Sequence, residues 1–329
     1  LISIALAALA GILLTGACYT LARRFPDADL IQYSIALLGT PLGQIAGTIC
    51  LFNLSINAGR SPAKISTIGQ AAFGWGQPVA ILLILVVVTA SFLLVRRGLK
   101  TIGSLCEYGS MIAIVLVVVA GLTVLAKADW TNYTFFAAGW GPAMKGAFTL
   151  TGRFSFVWVI LLLIPRMRDI TSTRNMLGTM ATILVVGLLM CIGTLPIALH
   201  GAPNTVASFI PSLQLLAESV WGANTIVLSA VVVIWMLGLA LAGAVFYWLL
   251  TIALAETASA PAGRFLFPAG VAAYALAMII WYDPSQTYAF IREGGPYFQY
   301  SAGVGVPLLL LLVAWLREHR PGRQTATRT

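Results

Sequence analysis

Long apolar runs separated by short polar clusters dominate this sequence. A helix needs about 20 apolar residues to cross the hydrocarbon core of a bilayer. Nine runs reach or approach that length: Leu1–Ala22, Leu42–Ala58, Pro78–Val95, Gly103–Ala126, Pro142–Ile164, Met176–Leu199, Ile226–Ala255, Phe265–Trp281 and Val304–Leu316. The second and the last are short or rich in Gly. The runs are continuous, whereas barrel strands alternate apolar and polar positions over about 10 residues. The pattern therefore predicts an all-α integral membrane protein with about nine transmembrane helices. Two polar-apolar stretches are too short to cross, Pro26–Leu38 and Thr205–Val220, and are expected to lie on the membrane surface or on the bundle. Residues 1–316 read as one transmembrane domain and residues 317–329 as a short basic tail.

Composition agrees with this pattern. Charged residues make up 9% of the 329 positions and apolar residues 60%, with a mean hydropathy of +0.94. A soluble domain carries about 25% charged residues, so lipid must serve as solvent for much of this surface. The net charge of +9 does not point to nucleic acid. The basic residues form no stripe and sit in clusters between the apolar runs. Thirteen of the 19 Lys and Arg fall in alternate loops and the tail: Arg23, Arg24, Arg96, Arg97, Lys100, Arg166, Arg168, Arg174, Arg264, Arg317, Arg320, Arg323 and Arg328. The positive-inside rule assigns that side, and the C-terminus with it, to the cytoplasm. The opposite loops are expected to carry Arg60, Lys64, Lys127 and Arg292. Trp75, Trp130, Trp140, Trp281 and Tyr282 fall at span ends, where amphipathic rings favour the interface. The chain starts at Leu1 inside an apolar run. An upstream segment is therefore expected, and one more helix there would return the N-terminus to the cytoplasm.

Polar groups within spans cost energy and mark candidate sites. The fifth span holds Thr149, Thr151, Gly152, Arg153 and Ser155. Gly152 lowers helix propensity by about 1 kcal/mol relative to Ala. Arg153 lies near mid-membrane, where it costs at least about 2.5 kcal/mol on insertion scales. One reading is an interrupted helix lining a cavity, with Arg153 facing an anionic group. The other is a continuous helix whose Arg153 snorkels or pairs with a neighbour. In the second span, Asn53 and Asn57 share one face at i,i+4 spacing. They suit either interhelical hydrogen bonds or contact with a substrate. Glu107 is either a coupling residue or the structural partner of Arg96, Arg97 or Lys100. Glu218 and Glu256 are expected to be solvated. Cys18, Cys50, Cys106 and Cys191 form no metal-binding spacing. Neither His200 nor His319 adds one, and no cofactor is expected. No Walker loop and no signature of covalent catalysis appear, so the chain is not expected to be an enzyme.

Several stretches in order resemble the spore germination permease family, the B subunits of nutrient-germinant receptors, within the amino acid–polyamine–organocation transporter superfamily. They are Ala22-Arg23-Arg24-Phe25-Pro26 with Leu30-Ile31-Gln32-Tyr33; Arg97-Gly98-Leu99 with Glu107; Pro165-Arg166-Met167-Arg168-Asp169; and Ile210-Pro211-Ser212-Leu213-Gln214-Leu215-Leu216 leading to Ile234-Trp235-Met236-Leu237-Gly238. The resemblance implies ten helices in two inverted five-helix repeats, with the first helix upstream of Leu1 and the fifth span as interrupted helix six. It also implies a small ligand such as an amino acid in a central cavity, companion receptor subunits and the inner membrane of a bacterial spore. An amino acid permease of the same superfamily is the alternative. Two departures stand out. The acidic residue common before the Pro-x-x-x-Asp stretch is absent from Phe154–Trp158, with Arg153 nearby instead. The lysine common after the helix-eight tryptophan is also absent, since Leu239–Ala244 is apolar.

Overall fold

The structure is a computed structural model that describes residues 1–132, 139–166, 171–207, 210–283 and 295–318. Met167, Arg168, Asp169, Arg292 and the tail from His319 onward lie outside the described residues. Among the described residues the fold is helical throughout, with no strand.

Nine long helical segments are present among the described residues. They are α1 (Ile2–Arg24), α3 (Thr40–Phe73), α4 (Gln77–Arg97), α5 (Leu99–Leu125), α6 with its continuation (Trp140–Leu163), α8 (Thr173–Ile192), α11 (Thr225–Thr257), α12 with its leading turn (Ala262–Tyr282) and a last segment, Gly295–Arg317. Eight are long and apolar enough to cross a membrane. The ninth is α3, whose polar residues dilute its hydropathy. The short helices α2 (Leu30–Leu38) and α10 (Pro211–Glu218) fall in the stretches expected to lie outside the spans, and α9 (Leu195–Ala207), kinked at Gly201, overlaps the expected end of the sixth span.

Three expected boundaries need correction. Helix α3 runs on to Phe73 rather than ending at Ala58, so Arg60 and Lys64 lie inside it and not in a loop. Pro62 is accommodated within that helix. Neighbouring helices make such interruptions tolerable in a membrane by meeting the freed backbone groups. The sixth span stops at Ile192, and a turn at Gly193–Thr194 leads into α9. The last span starts at Gly295 rather than Val304.

Helix α2 begins with a capping box. The Asp29 carboxylate accepts from the Ile31 and Gln32 amides at 3.0 Å each, and the Gln32 side chain accepts from the Asp29 amide. Such caps satisfy donors that a helix start leaves unpaired. Only Gly98, at φ +90°, separates α4 from α5. That left-handed backbone favours glycine.

Helix α3 is the central column. It packs most extensively on α11 and then on α12. Small residues make this possible. A Cβ on Gly59 would lie 2.7 Å from Leu276 Cβ, and one on Gly243 would lie 2.9 Å from Ser61 Cβ. Buried Ala269, Ala273 and Ala277 recur every fourth residue along the contacting face of α12. Close backbone approach of this kind replaces the hydrophobic drive that lipid does not supply. A second group joins α1 to α6 and α8.

The contacts also sort the chain ends of the helices. Arg23 bonds to Thr171 and Thr173, Arg166 to Asp29 and Glu256, and Arg317 to the Ala36 carbonyl. Lys127 reaches the Glu218 carbonyl at the other end. Basic loops that alternate in sequence thus gather at one end of the bundle.

Candidate functional site

The sequence singled out the stretch around Gly152. There α6 (Trp140–Phe154) gives way to a 3₁₀ segment, Ser155–Val159, and then to α7 (Ile160–Leu163). The irregularity starts at Ser155, three residues beyond Gly152. It is a tightening of the helix, not an unwinding. Ser155 Oγ donates to the Gly152 carbonyl at 2.7 Å and lies 3.4 Å from the Gln299 carbonyl.

The facing segment is irregular as well. Helix α13 (Gly295–Tyr300) passes into a π turn, Ser301–Gly305, and then α14 (Val306–Glu318). Gly303 lies directly on Ser155: a Cβ there would fall 2.6 Å from Ser155 Cβ. Gly152 faces the same element, with its Cβ position 3.0 Å from Gln299 Oε1. An over-wound turn and an under-wound turn therefore meet in the middle of the bundle. Such turns depart from the regular i→i−4 ladder and recur at functional sites.

Helix α13 also reaches α3. Asn53 Nδ2 donates to the Phe298 carbonyl at 3.3 Å. Asn57 Nδ2 donates to the Asn53 carbonyl at 2.8 Å. Both asparagines are buried. Asn53, Asn57, Arg60, Phe298 and Gln299 surround a space of about 20 Å³, which suits one water. On the other side of α13, Tyr300 stacks on Phe148 with centroids 4.2 Å apart and donates to the Phe148 carbonyl at 2.7 Å. A cleft of about 500 Å³ opens there, lined in part by Thr151 and Tyr300.

The structure thus joins Asn53, Asn57, Gly152 and Ser155 through α13, with Thr151 one step away. Thr149 bonds back within its own helix, donating to the Lys145 carbonyl four residues earlier. Glu107 is exposed on α5. Among the described residues its carboxylate pairs with none of Arg96, Arg97 or Lys100. The expected pairing is therefore not what the structure shows.

A model of the spore germination protein family matches residues 2–285. This chain belongs to the spore germination protein family. No curated protein matches it. The family match takes in α1 to α12, whereas α13 and the π turn lie past its last residue. Gln299 and Phe298 were missed by sequence reasoning for a related reason. They precede an apolar run in a Gly-Pro-Tyr-Phe-Gln-Tyr stretch that reads as loop. Arg60 and Lys64 carried a usable signal, because they continue the Asn53–Asn57 face at offsets of three and four residues.

A second polar group of this family member lies at the arginine-rich end. Arg166 Nη2 pairs with Glu256 Oε1, and Arg166 Nη1 lies 3.6 Å from Asp29 Oδ2. Gln32 Nε2 donates to the other Glu256 oxygen at 2.8 Å. Glu256 is thus not simply solvated, as the sequence suggested. Burial raises the Asp29 carboxyl above the ordinary carboxylate range, and Glu256 raises it further. The Gln32 amide bond, Arg166 and the Ile31 amide bond act the other way.

Proposed function

We propose that this chain is a membrane subunit of a spore nutrient-germinant receptor. It binds a small nutrient such as an amino acid between α3, the α6–α7 break and α13, and passes the signal to companion receptor subunits. The observation that supports this reading most is the pair of helix irregularities facing each other beside buried Asn53 and Asn57. Polar backbone and side chains at that depth are costly in lipid and suit a ligand site. In this reading the arginine-rich end is cytoplasmic and the protein sits in the inner membrane of a spore. Five-plus-five inverted repeats would place α6–α7 as an interrupted core helix.

An amino acid permease is the second reading. The Asp29–Arg166–Glu256 group favours it, because ion pairs between segments at one end can hold that end closed in one state and separate in another. Germination and uptake assays on Arg153→Ala and Gly152→Leu test the site. Both variants are expected to insert at wild-type level and to lose at least about tenfold in ligand response, a cost of roughly 1.4 kcal/mol. Wild-type responses in both would refute the site. Labelled amino acid accumulating in proteoliposomes would favour the permease.

A further inference from the structure

Small residues do two different things on α11. Gly243 lets Ser61 of α3 come close. Gly238 and Ala242 instead share a cavity with a row of small residues on α5, Gly109, Ala113 and Ala120. Offsets of four and seven residues keep each row on one helix face. The two rows do not close on each other. A Cβ on Gly109 would come within 3.0 Å of Leu241 Cδ1, whereas one on Gly238 meets nothing within 4 Å. Further along, Leu216 of α10 joins Ala120 and Val231 in one buried cluster. Between α5, α10 and α11 an apolar cavity of about 450 Å³ remains, within the range of roughly 300–1,000 Å³ usual for small-molecule sites.

Its shape and its mouth say what fits. The α5 lining runs from Cys106 to Ala120, 14 residues apart, which is about 20 Å of helix. Spread over that length, about 450 Å³ averages about 20 Å² in cross-section, the width of a single methylene chain. A buried water needs about two to four polar partners, and apolar cavities stay dry and take apolar guests. The polar lining here is sparse, and the Ser110 hydroxyl is already donated to the Glu107 carbonyl at 2.9 Å. Two lining residues, Ser110 and Ile234, are exposed. Each lies well inside its span, Leu99–Leu125 or Thr225–Thr257, so the mouth opens sideways into hydrocarbon. Ser212, exposed at the start of α10, extends the lining toward the end of the bundle opposite the arginine-rich loops.

We propose that this cavity holds one acyl chain of a membrane lipid from the leaflet opposite the arginine-rich loops. The headgroup stays at the interface beside Ser212, and the tail runs between α5 and α11 toward Cys106. The mid-span mouth is what assigns the guest to the bilayer. The tail lies against Trp235, whose ring centroid is 5.9 Å from the Lys64 ammonium of α3, a cation–π distance. One side chain thus links the lipid to the helix that carries Asn53 and Asn57. The cavity does not depend on the ligand site proposed above.

Trp235 supplies the readout. Purified full chain would be placed in phosphatidylcholine nanodiscs whose acyl chains carry bromine at mid-length, a contact quencher of tryptophan. The Trp235 signal is taken as wild type minus Trp235→Phe, each plugged variant being paired with its own Phe double mutant. Brominated lipid is expected to quench it, and acrylamide in the water is not. Gly238→Leu and Ala113→Leu plug the cavity from α11 and from α5. Each should cut the quenching at least about twofold, because a leucine obstructs a channel one chain wide. Undiminished quenching in both plugged variants overturns the proposal, since Trp235 would then be meeting bulk bilayer. An absence of quenching in the wild type also overturns it, because the cavity would be closed to chains or filled by polypeptide. Stronger quenching by acrylamide than by brominated lipid would make the cavity wet and overturn it as well. Quenching by a free bromoalkanol in unbrominated nanodiscs, with none by brominated lipid, would assign the cavity to a free amphiphile and overturn the lipid.

Discussion

Charge is handled in opposite ways in two regions of this molecule. At the arginine-rich end Arg166 meets two carboxylates, Asp29 and Glu256, and three chain segments are tied together. In the middle of the bundle Arg60, Lys64 and Arg153 lie on two helices, α3 and α6, that carry no acid. The first arrangement pairs opposite charges within the chain, whereas the second places cations on helices without a carboxylate of their own. Paired charge holds a conformation, and charge on acid-free helices is costly within a membrane.

The sharpest way to break that contrast is to unpair the first region. Arg166→Gln leaves Asp29, which is fully buried, facing Glu256 with no cation between them. Removing one partner of a fully buried pair costs about 3–5 kcal/mol. Arg166 and Glu256 are each about a quarter exposed, so a loss of about 2–3 kcal/mol is expected here. Thermal unfolding in nanodiscs would read it, and an unchanged midpoint would show that the pairing holds nothing. The loss should also depend on pH. The Asp29 carboxyl is already raised in the folded state. The folded protein therefore gains stability from this group as pH falls toward that raised value, and loses it as pH rises through it. The Arg166→Gln deficit should then shrink as pH is lowered from neutral and Asp29 takes up its proton. A deficit that grew on acidification would contradict the assignment.

Smaller effects separate the two regions further. Gly303→Leu forces a side chain into Ser155 at the meeting of the 3₁₀ and π turns. About 2 kcal/mol of destabilisation is expected, within the usual cost of overpacking. Gly238 lines an apolar cavity of about 450 Å³ between α5, α10 and α11, and a Cβ there meets nothing within 4 Å. Gly238→Leu should therefore be tolerated, and equal damage from both glycine variants would mean that the turn contact is not special. The smallest effect belongs to Glu107→Gln. Its side chain is exposed and unpaired among the described residues, so a change within about 0.5 kcal/mol is expected. A large loss of function at unchanged stability would instead restore Glu107 as a coupling group.

How much of this was readable follows from how local each signal is. The spans were legible because hydropathy over a single run defines them. Helix α3 was cut short in that reading because Arg60, Ser61, Pro62 and Lys64 resemble a loop. What holds them helical is Gly59 against Leu276 and Gly243 against Ser61, contacts with residues far along the chain. The break near Gly152 was legible from composition, but its onset at Ser155 depends on Gln299 and Gly303. Glu256 was misjudged for the same reason. Its partners are 90 and 224 residues away, and nothing in its neighbourhood announces them.

The over-wound turn at Ser155–Val159 also works as a gear. Five residues at about 120° each, in place of about 100° each, advance the chain by about 100° more than an α-helix would. They also lengthen it by about 2.5 Å. Everything downstream inherits that rotation, including Arg166 seven residues later. Relaxing the turn to an ordinary helix would swing the Arg166 guanidinium by the width of one residue on the helical wheel. A change of winding beside Asn53 and Gln299 would thus be felt as torque on the grip between Asp29 and Glu256.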